Sequence, residues 1–457
     1  MQEFSMSTLK ANANIHMIGI GGISMSALAH MLMDAGYSIS GSDSKSSNLT
    51  DDLAAKGAQI YIGQSADNIK SPDLVCYTAA ISNDNPELKK ARTLGVPVIE
   101  RAELLGELMT FYKYPIAIAG THGKTTTTSM MSLVLLAADL DPTILVGGEL
   151  PQIGGNLRIG KKDYLSFEAC EYVESFLHFK PFLSIITNVE EDHLDYFSDI
   201  NHIISSFQKF ASLTSPSGCI IVCLDNNHIP SVVQNVDKKV ISYGLNNKAA
   251  DYTAENVSYN NKGLPTFDVY HNGEFVINLS MNVGGEHNIQ NALAITAASE
   301  FLKIPKDAIK KGLEEFTGTK RRFEKLGKVN GCEIVDDYAH HPTEIEVTLK
   351  AAKAMNYKKI TVVFQPHTYS RTKALLNDFA KVLPLADQVL IADVYPAREK
   401  YDGTIHSCDL ASLIPNSIYM SDMNAIARYL KENLKDGELL ITMGAGDVNK
   451  IGYQLCE

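Results

Sequence analysis

The sequence predicts an α/β chain of three domains built on mostly parallel sheets. Its 457 residues correspond to about three domains at roughly 150 residues each. Short apolar runs alternate with helical patterns along nearly the whole chain, and this alternation is typical of βαβ units. Two of the apolar runs end in glycine-rich turns that lead into helical patterns, as expected at the strand ends of parallel sheets.

The composition limits the classes of protein to which the chain can belong. Hydrophobic residues make up 45% and charged residues 21% of the chain, which is ordinary for a globular protein. The 41 basic and 53 acidic side chains leave a net charge of −12, which disfavours generic binding of nucleic acid or anionic membranes. No run of about 18 apolar residues and no signal-peptide core is present, so we expect a cytoplasmic protein without membrane insertion. The seven cysteines form no CxxC pair, which argues against a zinc or redox motif.

Residues 1–113 are predicted to form the first domain. Its opening strand, at 15–20, runs into Gly21 and Gly22 and then into a helix of small residues. The other elements predicted for this domain are strands at 37–40, 74–77 and 97–99 and helices at 24–35, 51–56, 86–94 and 103–111.

Residues 114–321 and 322–457 are predicted to form the central and C-terminal domains. The predicted central elements are strands at 116–119, 164–167, 183–187 and 219–223, helices at 130–138 and 287–302, and a small antiparallel sheet at 251–279. The predicted C-terminal elements are strands at 332–335, 360–364, 389–392 and 439–442 and helices at 342–355, 373–383 and 424–431. We interpret the positive cluster at 320–322, on the boundary between them, as a hinge.

The strongest chemical signal is a glycine-rich loop between the strand at 116–119 and a helix. Its residues are Gly120, Thr121, His122, Gly123, Lys124, Thr125 and Thr126. Glycines let backbone N–H groups approach phosphate oxygens, and the helix N-terminus adds a positive dipole end. Lys124 is expected to reach the β- and γ-phosphates of a nucleotide, and a hydroxyl of Thr125 or Thr126 to hold Mg²⁺. The loop has the shorter form GxxGK[ST]T, because Ile118 stands where the longer phosphate-loop pattern has its first glycine.

A second glycine-rich turn follows the first predicted strand. It contains Gly21 and Gly22 and has Ser24 where a dinucleotide fingerprint has its third glycine. Asp43, about 20 residues further on, is placed to meet a ribose hydroxyl. A dinucleotide and a nucleotide-sugar diphosphate would use the same donors, and a tight turn without a ligand is the remaining alternative.

Acidic residues follow two central strands. Glu168 comes after one strand, and Glu190, Glu191, Asp192 and His193 come after another. Carboxylates at this edge of a parallel sheet can hold Mg²⁺ beside bound phosphates. Histidine is an unusual ligand for so hard a cation, which leaves the role of His193 open on chemistry alone. For Glu190, Glu191 and Asp192 we expect surface solvation.

Further polar residues lie on the last predicted helix of the central domain and in the loops that follow two predicted C-terminal strands. Asn288 and Asn291, on the preceding central helix, share a face and suit adenine, ribose or a helix cap. Asp337 and His340 lie in the loop after the strand at 332–335. His367 and Arg371 follow the next strand, where a guanidinium could bind a small carboxylate in a bidentate manner.

Taken in order, these motifs resemble those of the Mur ligases of peptidoglycan synthesis, and most closely of the members that add L-alanine. The motifs are GIGGISMSALA, GSD, GTHGKTTTT, FEACE, TNVEEDHLDYF, GEHNIQNALA, RRFE, DDYAHHPTE, QPHTYSRT and MGAGD. The resemblance covers nearly the whole chain. It implies a Rossmann-like UDP-binding domain, a central phosphate-loop ATPase domain and a C-terminal Rossmann-like domain that brings the amino acid.

The resemblance also implies a role for each motif residue. It places ATP at Gly120, Thr121, His122, Gly123, Lys124, Thr125, Thr126, Asn288 and Asn291, and Mg²⁺ at Thr125, Glu168 and His193. It places UDP-N-acetylmuramate at Gly21, Gly22, Ser24 and Asp43, and L-alanine at His340, His367 and Arg371. It makes Arg322 a γ-phosphate contact and Asp337 an aspartate near ATP, both catalytic together with Lys124, Glu168 and His193.

The implied reaction is ATP-driven amide formation. The lactyl carboxylate of UDP-N-acetylmuramate would attack the γ-phosphorus of ATP, and the amine of L-alanine would then displace phosphate from the acyl phosphate. Positive charge from Mg²⁺, Lys124 and Arg322 is needed because two anions meet. Water would destroy the acyl phosphate, so the C-terminal domain is expected to close first.

Three alternatives remain at this stage. One is a ligase that attaches a preformed murein tripeptide, although GIGGISMSALA and FEACEYVESFL favour the alanine enzyme. Another is an NAD-dependent oxidoreductase, suggested by the first glycine turn alone. The third is a non-catalytic nucleotide switch.

Overall fold

The computed structural model describes residues 4–194, 196–397 and 399–457. Three sheets follow one another along the chain, with five, ten and six strands. Each sheet is mostly parallel and carries helices between its strands, which confirms the predicted three-domain α/β class. Within the described residues, no helix combines the length and apolar character needed to cross a bilayer.

The N-terminal sheet is entirely parallel, in the order β3-β2-β1-β4-β5. Its strands are β1 (Asn14–Ile18), β2 (Ser38–Asp43), β3 (Gln59–Ile62), β4 (Leu74–Tyr77) and β5 (Val98–Glu100). Its helices are α1 (Ile23–Asp34), α2 (Asn48–Ala55), α3 (Pro86–Thr93) and α4 (Arg101–Met109). The predicted strand at 37–40 was too short, because Gly41 and Ser42 pair with Met17 and Ile18 and carry β2 on to Asp43. Strand β3 was not predicted.

The central sheet has the order β15-β14-β13-β12-β11-β10-β6-β9-β7-β8. Its strands are β6 (Tyr114–Ala119), β7 (Thr143–Leu150), β8 (Gly155–Arg158), β9 (Tyr164–Glu168), β10 (Leu183–Ile186), β11 (Cys219–Cys223), β12 (Val240–Gly244), β13 (Tyr252–Tyr259), β14 (Pro265–His271) and β15 (Glu274–Ser280). The antiparallel pairing of β13, β14 and β15 confirms the small sheet predicted at 251–279. The hairpin of β7 and β8 was not predicted.

The central helices are α5 (Lys124–Ala137), α6 (Ile200–Ser212), α7 (Ile229–Val233), α8 (Glu286–Phe301) and α9 (Lys306–Glu314), with a 3₁₀ segment at Tyr172–His178. Helix α5 begins at Lys124, six residues before the predicted start at 130. The prediction followed apolar periodicity, whereas the threonines of the first turn are β-branched and disfavoured in helices. Burial of Thr127 and Thr128 against the sheet overrides that preference.

The C-terminal sheet has the order β16-β17-β21-β18-β19-β20, and only β16 pairs in an antiparallel manner among its described strands. Its strands are β16 (Glu324–Val329), β17 (Cys332–Asp337), β18 (Ile360–Phe364), β19 (Gln388–Ile391), β20 (Ile418–Tyr419) and β21 (Leu439–Met443). Its helices are α10 (Pro342–Lys353), α11 (Tyr369–Ala374), α12 (Leu376–Val382), α13 (Ser407–Leu413), α14 (Met423–Asn433) and α15 (Asn449–Cys456). The single helix predicted at 373–383 is wrong, because the chain leaves helical geometry at Leu375 (φ −107°, ψ 19°).

The hydrophobic cores divide the molecule unevenly. One continuous cluster includes Ile15 and Leu108 of the N-terminal domain and Phe176 and Phe207 of the central domain. The C-terminal domain has separate clusters on the two faces of its sheet, one around Phe364 and one of smaller residues. The first two domains therefore share a core, whereas the third domain has its own.

Candidate active site

The glycine-rich loop lies where β6 of the central sheet turns into α5. Gly123 is the N-cap of α5 with φ 83°, a left-handed conformation that glycine adopts without steric cost. A side chain on Gly120 would lie 2.0 Å from Thr187 Oγ1, so the loop packs directly against the end of β10. Thr187 Oγ1 donates to the carbonyl of His122 at 2.6 Å, and His122 N donates to Asn188 Oδ1 at 2.8 Å. The loop is therefore held in shape by the neighbouring strand end.

Lys124 lies half-buried at the base of this loop. Its Nζ donates to the carbonyls of Gly120 at 2.5 Å and Thr121 at 3.0 Å, and to Glu171 Oε2 at 2.9 Å. Burial alone would lower the pKa of Lys124, but the charge and hydrogen bond of Glu171, together with charge from Cys170 and Glu168, outweigh burial and raise it. Lys124 therefore remains a cation. Glu171 was not assigned a role from the sequence, although it belongs to the quoted FEACE motif.

The residues predicted to hold Mg²⁺ come from three neighbouring parts of the central domain. Thr125 lies in the first turn of α5, Glu168 ends β9, and His193 follows β10. Glu168 Oε1 accepts a hydrogen bond from Gly147 N at 2.6 Å, which orients the carboxylate. The Nε2 atom of His193 lies 3.9 Å from Glu171 Oε1. A hydroxyl and a carboxylate are donors that suit Mg²⁺, and an imidazole is a less usual one, so the assignment of a divalent cation to these three residues stays a prediction.

A cavity of about 870 Å³ lies between the central and C-terminal domains. The predicted site residues that line it are His122, Gly123, Thr125, Thr126, Asn288, Asn291, Arg322 and Asp337. Asn288 Nδ2 donates to the carbonyl of Gly284 at 2.6 Å, and Asn291 Nδ2 approaches Asn288 Oδ1 at 3.4 Å. The two asparagines therefore share one face of α8, and the cavity extends from the phosphate loop to them.

Asp337 and Arg322 line the C-terminal side of the cavity. Asp337 accepts hydrogen bonds from Phe323 N at 3.0 Å and Ala339 N at 2.7 Å. Burial raises the pKa of Asp337 to about 6, against the opposing charge of Arg322. The Arg322 guanidinium lies 5.2 Å from the centre of the Tyr338 ring, which positions it as a cation–π partner.

Arg371 meets a carboxylate of the protein itself. Its Nη2 and Nε atoms donate to Asp192 Oδ1 at 2.9 and 3.3 Å, and Nη1 lies 3.3 Å from His367 Nδ1. The ring of His340 lies edge-on to that of His367, with 5.8 Å between centroids. The three residues predicted to hold an amino acid are therefore brought together by the fold.

The expectation that Glu190, Glu191 and Asp192 are solvated surface residues is confirmed for Glu191, which is exposed, but is wrong for Asp192, which is buried, and holds only in part for the half-buried Glu190. Asp192 is 8% exposed, and its partner Arg371 belongs to the C-terminal domain. Glu190 Oε2 accepts a hydrogen bond from the hydroxyl of Thr343 at 2.8 Å, also in the C-terminal domain. Both carboxylates follow β10 and contact side chains of the C-terminal domain.

The first glycine-rich turn lies apart from this cavity, at the edge of the N-terminal sheet. Asp43 Oδ2 accepts a hydrogen bond from Gly21 N at 2.9 Å, and Oδ1 accepts one from Ser44 N at 2.7 Å. Gly22 and Ser24 are exposed where the turn enters α1. Asp43 thus braces the turn, and its contact with a ribose stays a prediction.

A phosphate loop with acidic residues at the same sheet edge, facing a second α/β domain across a cavity, is typical of an enzyme that uses a nucleoside triphosphate between two domains. Family models identify which class of such enzymes this is. Residues 14–113 match the Mur ligase family catalytic domain, residues 118–299 the Mur ligase middle domain, and residues 321–446 the Mur ligase glutamate ligase domain. The chain belongs to the Mur ligase family.

Two curated relatives show which members of the family this chain is similar to. The UDP-N-acetylmuramate–L-alanine ligase of Acetivibrio thermocellus is 52% identical over 456 residues, covering 99% of this chain and 97% of the relative. The ligase of the same name from Clostridium novyi is 51% identical, and the match covers 98% of both chains. These matches exclude an NAD-dependent oxidoreductase and a non-catalytic nucleotide switch as the class of protein to which the whole chain belongs.

Solved structures agree with this placement. The crystal structure of UDP-N-acetylmuramate-alanine ligase MurC from Thermotoga maritima matches with a TM-score of 0.80 and 31% identity, covering 97% of this chain and 98% of that one. A murein peptide ligase from Psychrobacter arcticus shares the fold, with a TM-score of 0.71, 24% identity, and coverage of 97% of this chain and 98% of that one. The fold is therefore common to ligases with different acceptors.

Proposed function

We propose that this protein joins L-alanine to the lactyl carboxylate of UDP-N-acetylmuramate in peptidoglycan precursor synthesis, with conversion of ATP to ADP and phosphate. The observation that carries the proposal is the 52% identity to a ligase of that name over 99% of the chain. The cavity beside the phosphate loop supports it, because a ligase of this kind must bring an anionic substrate and a triphosphate together.

Lys124 and Arg322 are the cations that we assign to the transferring phosphoryl group. Lys124 lies under the loop, and Arg322 lines the cavity from the C-terminal domain. Attack of the carboxylate on the γ-phosphorus of ATP makes an acyl phosphate, which turns a poor electrophile into a reactive one. Thr125, Glu168 and His193 would hold Mg²⁺, which neutralises phosphate charge when bound.

The second half of the reaction needs the amino acid. We assign its carboxylate to Arg371, with His340 and His367 beside it, because a guanidinium held on one edge still offers donors on the other. The neutral amine of L-alanine then attacks the acyl carbon, and phosphate leaves with the bonding electrons. Asp192 comes from the central domain, so this pocket is complete only when the two domains are docked.

The nucleotide sugar is assigned to the N-terminal turn. Gly21, Gly22 and Ser24 offer the start of α1 to a diphosphate, and Asp43 braces them. We also propose domain boundaries at 113/114 and 321/322, close to the limits of the matched family models. Positive φ angles at Arg321 (61°) and Phe323 (50°) support a hinge at the second boundary.

The deciding experiment is a phosphate-release assay with purified protein, ATP and Mg²⁺. Release is expected only when UDP-N-acetylmuramate and L-alanine are both present, with one phosphate for each amide formed. The matched comparison replaces L-alanine by the murein tripeptide. Faster release with the tripeptide would overturn the proposal in favour of a murein peptide ligase.

A further inference from the structure

The ring of His122 faces away from the loop to which its backbone belongs. Its Nδ1 lies 3.2 Å from Glu344 Oε1, and its Nε2 lies 3.3 Å from Glu190 Oε2. The ring also packs on that of His341, with 4.9 Å between centroids. Glu190 belongs to the central domain. Glu344 lies in α10 of the C-terminal domain, and His341 is the N-cap of that helix. The imidazole therefore spans the two domains.

Glu344 is held in place by other contacts. Its Oε2 accepts hydrogen bonds from His340 N at 3.0 Å and His341 N at 3.3 Å, which forms the capping box of α10. The same carboxylate lies 3.9 Å from Arg322 Nη1. Glu344 thus connects the start of α10 and Arg322, which lines the cavity, to the ring of His122 in the phosphate loop.

The charges of this cluster favour the docked arrangement. Burial alone would lower the pKa of His122, but the nearby carboxylates of Glu190 and Glu344, the second of them hydrogen-bonded to Nδ1, raise it to about 9. The pKa of Glu344 is held well below its usual range by His340, His122 and Arg322, against the effect of burial. At neutral pH a buried imidazolium therefore lies between two carboxylates, one from each domain.

We propose that His122 is a positioning residue that couples the phosphate loop to docking of the C-terminal domain, with Glu344 as its partner. The inference rests on the proposed function. Undocking during the lifetime of the acyl phosphate would admit water, which attacks in place of the amine and gives back the carboxylate and free phosphate. Loss of the His122–Glu344 contact should therefore uncouple phosphate release from amide formation.

The test compares His122→Gln and Glu344→Gln with the wild type, measuring phosphate and amide product in the same reaction. Glutamine at 344 keeps an acceptor for the capping box but removes the charge. Each variant is expected to lower kcat about tenfold, to leave KM for the nucleotide sugar within twofold, and to raise the ratio of phosphate to amide from one to two or more. The double variant should be no worse than the more affected single variant. The exposed His178→Gln is the matched control and should behave as the wild type.

Each outcome has a separate meaning. A ratio that stays at one in both variants would overturn the inference, whether or not kcat falls, because a merely structural defect lowers the rate without diverting the acyl phosphate. Absence of ligation by the wild type would instead overturn the proposed function. Hydrogen exchange at the amides of His340 and His341 in nucleotide-loaded His122→Gln gives an activity-independent readout, and unchanged protection there would also count against the inference.

Discussion

The central domain meets its two neighbours through joints of opposite chemistry. The joint with the N-terminal domain is apolar, since Leu104 and Leu108 of α4 belong to the same buried cluster as Phe176 and Phe179 of the central domain. The joint with the C-terminal domain is polar, and its pairs include His122 with Glu344, Glu190 with Thr343 and Asp192 with Arg371. Separating the first joint would expose apolar surface to water, at a free-energy cost of about 25 cal/mol per Å². In the second joint, the polar groups can exchange their protein partners for hydrogen bonds to water.

The difference between the apolar and the polar joint indicates which of the three domains moves. We infer that the first two domains act as one body that holds the nucleotide sugar at a set distance from the phosphate loop. We also infer that the C-terminal domain opens to admit substrates and closes for the reaction, because water can replace the partners of the polar groups in its joint. Substitutions in the polar joint should therefore change catalysis, and substitutions in the apolar joint should change stability.

The largest effect is expected for Lys124→Ala, at the base of the phosphate loop. Loss of this cation should lower ligation by roughly three orders of magnitude while binding of the nucleotide sugar survives. Steady-state ligation and titration calorimetry with UDP-N-acetylmuramate test both parts. Lys180→Ala, whose side chain is 64% exposed, is the matched control. Retained turnover in Lys124→Ala would remove the phosphate loop from the mechanism.

A smaller effect is expected where Asp192 meets Arg371. Asp192→Asn and Arg371→Lys should each raise KM for L-alanine by about 10- to 100-fold, since both lose part of a charge-assisted contact in which two guanidinium donors share Asp192 Oδ1. KM for the nucleotide sugar and the melting temperature should change little. A large fall in melting temperature with an unchanged KM for L-alanine would show that the pair is structural and would break the contrast between the joints.

The apolar joint is tested at Gly106 in α4. A Cβ there would lie 2.1 Å from the carbonyl oxygen of His178, so Gly106→Ala must push the two domains apart. The midpoint of urea unfolding should fall by the equivalent of about 1–3 kcal/mol. Gly155→Ala, where an added Cβ meets nothing within 4 Å, is the control. Equal stability of the two variants would contradict a tightly packed joint.

The smallest expected effect is a dependence of the ratio of phosphate to amide on pH. His122 has a pKa raised from 6.5 to about 9, so its contribution to docking is present at neutral pH and is lost as the pH rises through 9. Glu190 faces its ring from the central domain, and Glu344 and His341 face it from the C-terminal domain, with Arg322 behind Glu344. The ratio of phosphate to amide should rise a few-fold between pH 8 and 10 in the wild type. The same change in His122→Gln would assign the effect to another group.

Local patterns predicted the elements that position the site. The strand, glycine loop and helix at 114–137 and the acidic turn after β9 follow from periodicity and turn chemistry, which act over a few residues. The start of α5 was misplaced because its threonines are helical only by burial. The break at Leu375 and the short strands β3, β8 and β20 carry too little periodicity to be recognised.

The order of the three α/β domains, the phosphate loop and the membership of the family follow from the amino-acid sequence without the structure, because each rests on residues close together in the chain or on motifs in register. The tertiary structure alone decided the partners: Glu171 for Lys124, Asp192 for Arg371, and Glu344 for His122. The last two pairs join residues 179 and 222 positions apart, and such contacts depend on how whole domains pack. A carboxylate that looks solvated in the sequence becomes a buried partner only when another domain excludes the water around it.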